Sequence, residues 1–165
     1  MAHLLFAGVF LAWASLVGSG DIRFRRIPNT LVIAGLAGAL ASSAISGNPF
    51  GITVTQSLIG ASVGLICLSP FFALRVMGAA DVKVFAVLGA WCGVQALLWF
   101  WILASVAAGL HALGLMVLSR TSVAALYKRG TPAMALGGRR ATPYAAFLVV
   151  PAAVWLLHLV YVRGV

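Results

Sequence analysis

The segment "VFAVLGAWCGVQALLWFWILASVAAGLHALGLMVL", residues 84–118, contains 35 consecutive residues without a charge. A continuous helix of that length would extend about 52 Å at a rise of 1.5 Å per residue. This exceeds the hydrocarbon layer of a membrane and falls slightly short of two ordinary spans. The sequence "AWCGVQ", residues 90–95, offers a break around Gly93. We therefore predict a short helix over about residues 80–92 and a longer helix over about residues 95–118.

The composition around this segment indicates an integral membrane protein. Of 165 residues, 63% are hydrophobic and 8% are charged, whereas an ordinary soluble domain carries about a quarter charged residues. Further apolar runs cover residues 1–20, 30–46, 52–74 and 142–162. We predict an all-α polytopic protein with one membrane-embedded domain over residues 1–165. The four-residue spacing of Gly60 and Gly64 predicts close helix packing.

Charge placement decides between five and six membrane spans. With a break at Gly93, ten of the eleven basic residues share one side, which the positive-inside bias assigns to the cytoplasm. They are Arg23, Arg25, Arg26, Arg75, Lys83, Arg120, Lys128, Arg129, Arg139 and Arg140. With five spans, the most basic loop, residues 119–141, would have to be exported. We therefore predict six transmembrane helices with both termini on the extracytoplasmic side.

The net charge of +9 bears on the partners of the protein. Its basic residues are spread over short loops between apolar runs, so anionic lipid headgroups explain them better than nucleic acid does. The loop of residues 119–141 is predicted to lie on the inner leaflet as a lipid-binding segment. We expect no nucleic-acid partner.

The sequence contains only two acidic residues, Asp21 and Asp81, where average usage gives roughly twenty. Six spans place both at the cytoplasmic face, at the end of the first helix and the start of the fourth. Two carboxylates within a few ångströms cannot both ionise easily, so they share a proton, and one acts as a base while the other acts as an acid. Such a pair can activate water against a peptide carbonyl and protonate the departing amine.

A structural role is the alternative for each aspartate. Asp81 can accept N–H groups at a helix N-terminus, and Asp21 can bind Arg23. We favour function, because acids at membrane depth are costly and usually mark a site.

The residues around the two aspartates narrow the choice of function. In "DIRFRRIPNTL", residues 21–31, Pro28 fixes a turn and Asn29 can cap the next helix. Before Asp81, three small residues leave the backbone open to an extended substrate; they are Gly78, Ala79 and Ala80.

These two segments resemble the prepilin peptidases, a family of membrane aspartyl proteases. The family has a D-x-R-x-x-x-I-P-N segment after the first helix and a G-x-G-D-x-K segment later. The matching residues are Asp21, Arg23, Ile27, Pro28 and Asn29 in the first segment, and Gly78, Asp81 and Lys83 in the second. Ala80 replaces the second glycine. The sequence "TPYAAFL", residues 142–148, is similar to the Pro-aromatic opening of the family's last helix.

The resemblance implies that Asp21 and Asp81 are the catalytic pair. It implies an aspartic endopeptidase of the bacterial inner membrane that cleaves the leader of a prepilin or pilin-like precursor at the cytoplasmic face. It also implies the short form that serves Flp-type pili and lacks the methyltransferase domain. No metal or organic cofactor is expected. Lys83 has two possible roles: it supports an aspartate or the substrate, or it is a plain anchor that reaches lipid headgroups. The same two roles are open for Arg23.

Two other functions stay open. A proton-coupled transporter could use the same two acids as a relay, although it predicts polar groups at mid-membrane depth that the runs 52–74 and 95–118 lack. A catalytically silent scaffold for pilus assembly is supported only by Ala80. Alanine there is tolerated if the backbone is helical, whereas a positive φ would handicap the site.

Overall fold

A computed structural model describes residues 2–119 and 143–163. These residues form helices and contain no β-strand. The helices are α1 (Ala2–Phe24), α2 (Asn29–Ala44), α3 (Val54–Ala73), α4 (Ala79–Ser119) and α5 (Tyr144–Arg163). Apart from Ser119, the predicted lipid-binding loop of residues 119–141 lies outside the described residues, as do the last two residues of the chain.

Four of the described helices, α1, α3, α4 and α5, are long and apolar enough to cross a membrane. The fifth, α2, is apolar but has only 16 residues. Large apolar side chains such as Ile66 and Leu110 are about two-thirds exposed, at 67% and 65%. Lipid is a suitable environment for such side chains. The chain is therefore a helical membrane protein, as its composition predicts.

The predicted break in α4 is confirmed at Gly93, which has φ 76° and ψ 172°. Glycine adopts such a backbone conformation without a Cβ penalty. A Cβ atom placed on Gly89 would lie 3.0 Å from Cδ1 of Leu97, whereas eight residues of continuous helix would separate these positions by about 12 Å. The chain therefore reverses at Gly93, and α4 is a helical hairpin of two antiparallel segments, residues 79–92 and 94–119.

The loop between α2 and α3 supports this reversal. Nδ2 of Asn48 donates to the carbonyl oxygen of Trp91 over 3.3 Å, and Oδ1 of Asn48 accepts from the amide of Phe50 over 2.8 Å. Asn48 is 2% exposed. A helix break leaves carbonyl groups without partners in the helix, so this buried amide satisfies one of them.

Small residues bring α3 against the first segment of α4. A Cβ atom on Gly60 would overlap the backbone of Gly89, and one on Gly64 would lie 2.8 Å from the carbonyl oxygen of Phe85. The packing predicted for Gly60 and Gly64 is therefore confirmed. This backbone contact fixes the position of the segment of residues 79–92, which carries Asp81.

Helical segments that follow one another in the chain alternate in direction. Trp13 of α1 donates to the carbonyl oxygen of Leu31 at the start of α2. At the other side of α1, Gly18 faces Val149 near the start of α5. As a result, the end of α1 and the starts of α2, α4 and α5 gather at one end of the bundle.

Candidate active site

Asp21 lies in the last turn of α1 and is buried, with 7% of its surface exposed. The helix ends at Phe24. The next residue, Arg25, has a left-handed φ of 52°, and its amide donates to the carbonyl oxygen of Asp21 over 3.1 Å. A left-handed residue commonly ends a helix in this way. The chain then turns away through Pro28, while the carboxyl group of Asp21 stays within the bundle.

The carboxyl group of Asp21 contacts the first turn of α5. Its Oδ2 accepts from the amide of Ala146 over 3.0 Å, and the amide of Ala145 also interacts with it. The first-turn amides of a helix have no acceptor within the helix, and Pro143, immediately before α5, has no amide hydrogen. Asp21 therefore caps α5 from a helix that lies 125 residues earlier in the chain.

Asp81 lies in the first turn of α4 and contacts the same part of α5. Its Oδ2 accepts from the amide of Gly78 over 3.3 Å, which is the capping role that the sequence left open. The amide of Ala145 also interacts with the Asp81 carboxyl group, as does the charge of Asp21. The structure thus brings the two aspartates close enough to interact electrostatically, and the amide of Ala145 interacts with both carboxyl groups.

This arrangement has a chemical consequence. Two carboxyl groups that interact electrostatically and share a donor titrate as one coupled unit. Such a unit can hold one proton, so that a base and an acid are present at the same place. The burial of Asp21 and the partial burial of Asp81 strengthen the electrostatic interaction between them.

Arg25 is the cation whose charge acts on Asp21. The sequence assigned that place to Arg23, which is exposed in the last turn of α1. Arg25 was expected only to mark the cytoplasmic side of the membrane. The backbone of Arg25 is left-handed, and no pattern in the sequence indicates that conformation.

Lys83 and Asn29 join the two sequence motifs. Nζ of Lys83 donates to Oδ1 of Asn29 over 2.8 Å. The prediction that Asn29 caps α2 is wrong: Pro28 occupies the cap position, and Asn29 is the first helical residue. The Asn29 side chain instead accepts from the lysine, and it thereby ties the start of α2 to the helix that carries Asp81.

Gly78, Ala79 and Ala80 form the approach to Asp81. Gly78 and Ala79 are exposed, and a Cβ atom on Gly78 would lie 3.2 Å from Oδ2 of Asp81. Ala80 belongs to α4, and it is not among the described residues with positive φ. The backbone at this position therefore does not require glycine, and the effect of Ala80 on turnover stays a prediction.

Two further residues near the aspartates were missed in the sequence. Oη of Tyr144 lies 3.0 Å from Oγ of Ser105, and the charge of Asp81 acts on the Tyr144 hydroxyl. Asp81 lies twelve residues before Gly93 and Ser105 lies twelve residues after it. The hairpin therefore brings both to the same level. This equal spacing about the break is the signal that could have identified Ser105.

A metal site is not part of the described structure. Among residues 2–119 and 143–163, no group of three or more His, Cys, Asp or Glu side chains could hold a metal ion. The hydrogen-bond donors to the two aspartates are backbone amides, and Arg25 acts on Asp21 through its charge.

Comparison with known proteins gives one match. The model of a family described as the type IV leader peptidase family matches residues 8–113. The matched range is almost two thirds of the chain and contains both aspartates, Ser105 and the break at Gly93. Neither a curated protein nor a solved structure matches the chain.

Proposed function

The chain belongs to the type IV leader peptidase family, and from this membership and its paired carboxyl groups we propose that it is an aspartic endopeptidase with Asp21 and Asp81 as the catalytic pair. Its substrate is a prepilin or pilin-like precursor. The cleaved bond joins the leader of this precursor to its apolar helix.

The observation that carries the proposal is that the chain's two acidic side chains lie close enough to interact electrostatically beside the first turn of α5, where the amide of Ala145 interacts with both. Sixty residues separate them in sequence, and they come from different helices. A role as helix caps alone requires only one carboxyl group at each helix start, and two repelling carboxyl groups at one amide are unfavourable for stability. Peptide hydrolysis by an aspartic peptidase uses such a pair.

The chemistry divides between the two carboxyl groups. The ionised carboxylate accepts a proton from water as the water oxygen attacks the scissile carbonyl carbon. The protonated carboxyl group donates its proton to the carbonyl oxygen and forms a tetrahedral diol. When the C–N bond breaks, the carboxyl group that took its proton from water gives that proton to the departing amine. One hydroxyl group of the diol returns its proton to the other carboxylate as the new carboxyl group forms, and the pair returns to its starting state. Because the two groups titrate together, the roles belong to the pair.

The site lies at the cytoplasmic face of the bacterial inner membrane in this proposal. The turns beside the aspartates carry four exposed arginines, which suit cytoplasmic loops and anionic headgroups; they are Arg23, Arg25, Arg26 and Arg75. The reversal at Gly93 gives six helical segments, so six spans leave both termini on the opposite side. The segment of residues 79–92 is shorter than a usual span, and its close packing against α3 shields it from lipid.

The test uses purified protein in liposomes with a precursor that has a basic leader and one apolar helix. Mass spectrometry detects the released leader. We expect the wild type to cleave, and Asp21→Asn and Asp81→Asn to lose cleavage. Ser69→Ala serves as a matched control, because that exposed hydroxyl bonds only to Leu65 of its own helix. Cleavage that survives either aspartate change refutes the pair, and absence of cleavage by the wild type refutes the peptidase.

A catalytically silent scaffold is the second candidate. It is favoured by one observation, which is that each aspartate accepts a backbone amide hydrogen at the start of a helix. The same experiment separates the two functions, since a scaffold predicts no cleavage by the wild type and normal pilus assembly with both asparagine variants.

A further inference from the structure

The contact between Tyr144 and Ser105 involves two polar side chains that the proposed mechanism does not use. Tyr144 is the first residue of α5, and Ser105 belongs to the segment of residues 94–119. Their hydroxyl oxygens lie 3.0 Å apart in a partly buried place. In an apolar bundle, a hydroxyl group that loses its hydrogen-bond partner costs free energy, because little water is present to replace that partner.

The position of Tyr144 in the chain links this contact to the aspartates. The next two residues, Ala145 and Ala146, provide the amides that interact with Asp21 and Asp81. Both alanines are buried, with 0% and 4% of their surfaces exposed. Because these amides belong to the helical backbone, their positions follow the position of the first turn of α5. Through its hydroxyl group, the side chain of Tyr144 connects that turn to Ser105 in the segment of residues 94–119.

From these contacts we propose that Tyr144 and Ser105 are positioning residues for the carboxyl pair. The hydrogen bond between them fixes the first turn of α5 against the second segment of α4. The fixed turn holds the amides of Ala145 and Ala146 where they orient the two carboxyl groups. The hairpin at Gly93 thus contributes to the site, because it places Ser105 at the same level of the bundle as Asp81.

The inference rests on the proposed function for its kinetic consequence, but its structural consequence is measured without a substrate. A hydrophobic carbodiimide reacts with protonated carboxyl groups in an apolar environment. Asp21 and Asp81 are the only acidic side chains in the chain, so peptide mapping by mass spectrometry reports on the pair directly. The rate of labelling against pH gives a midpoint for the pair.

The variants are Tyr144→Phe and Ser105→Ala, each of which removes one hydroxyl group. Hydrogen bonds from amides favour the ionised carboxylate, so a loosened turn leaves the pair protonated to a higher pH. We expect the labelling midpoint to rise in both variants, and to rise no further in the double variant, because the two changes break one contact. Ser105→Thr keeps a hydroxyl group and restores the wild-type midpoint.

Matched controls exclude a general loosening of the bundle. Tyr161→Phe changes a tyrosine that is 85% exposed at the far end of α5, and Ser62→Ala removes a hydroxyl that bonds to Leu58 of its own helix. Both should keep the wild-type midpoint. A wild-type midpoint in Tyr144→Phe, or independent and additive changes in the double variant, would overturn the positioning role.

Cleavage assays add a kinetic readout. Tyr144→Phe and Ser105→Ala should each lower kcat about fivefold to tenfold, which is the loss expected for one hydrogen bond, and leave KM unchanged. An unchanged kcat in a wild type that cleaves counts against the inference alone. A wild type that does not cleave counts against the peptidase, and the labelling midpoints still decide the role of Tyr144.

Discussion

Replacing Asp21 in two ways separates its structural role from its catalytic role. Asp21→Asn keeps an oxygen that accepts from the amide of Ala146, and asparagine caps helices about as well as aspartate does. Asp21→Ala removes the acceptor and leaves the amide of Ala146 without its partner. Ala146 is a buried residue, with 4% of its surface exposed. Both substitutions remove the ionisable group. The two variants should therefore be equally inactive but differ in stability.

The magnitudes follow from the contacts. A buried amide that loses its acceptor costs about 1–3 kcal/mol, and the second amide, that of Ala145, retains Asp81. At about 2–4 °C per kcal/mol for a chain of this size, Asp21→Ala should lower Tm by roughly 3–10 °C. Asp21→Asn should lower Tm by less than about 3 °C, since it loses only the charge-assisted part of the bond. Both should lower kcat by at least about 100-fold.

The assay compares thermal unfolding in detergent micelles with cleavage of the precursor in liposomes. Asp81 supplies a matched pair of variants, because its carboxyl group accepts from the amide of Gly78, an exposed residue, over 3.3 Å. Asp81→Ala should therefore lower Tm less than Asp21→Ala does, although it abolishes cleavage as fully. Equal stability of Asp21→Asn and Asp21→Ala would refute the capping role, and cleavage by Asp21→Asn would refute the catalytic one.

Three further predictions concern residues around the pair. Ala80→Gly should not raise kcat, because Ala80 is already helical. It should lower Tm slightly, because glycine weakens a helix by up to about 1 kcal/mol. A large gain in turnover would contradict this. Gly60→Ala should prevent folding or lower Tm strongly, because its Cβ overlaps the facing backbone, whereas Gly8→Ala meets no atom within 4 Å and should leave Tm unchanged. Lys83→Met and Asn29→Ala should lower kcat by similar factors and show no additional loss when combined, because they break one 2.8 Å contact; additive losses in the cleavage assay would show independent roles.

Local patterns in the sequence determined the class of the protein and the main features of its fold. A long uncharged run with a glycine near its middle predicts a hairpin, because helix rise and membrane thickness are fixed lengths. The break at Gly93 is present in the structure. The two aspartates stood out because acids are rare in membrane segments, and the packing of Gly60 followed from its spacing to Gly64.

The composition of the site was decided by tertiary structure. The amide of Ala146 that meets Asp21 is 125 residues away, and the lysine that meets Asn29 is 54 residues away. Sequence patterns act over one or two helical turns, so they assigned Asn29 to the cap of its own helix and gave no role to Tyr144. The physical reason is that an amide or hydroxyl group in a bundle takes the partner that packing brings to it, and only the arrangement of all the helices determines that partner.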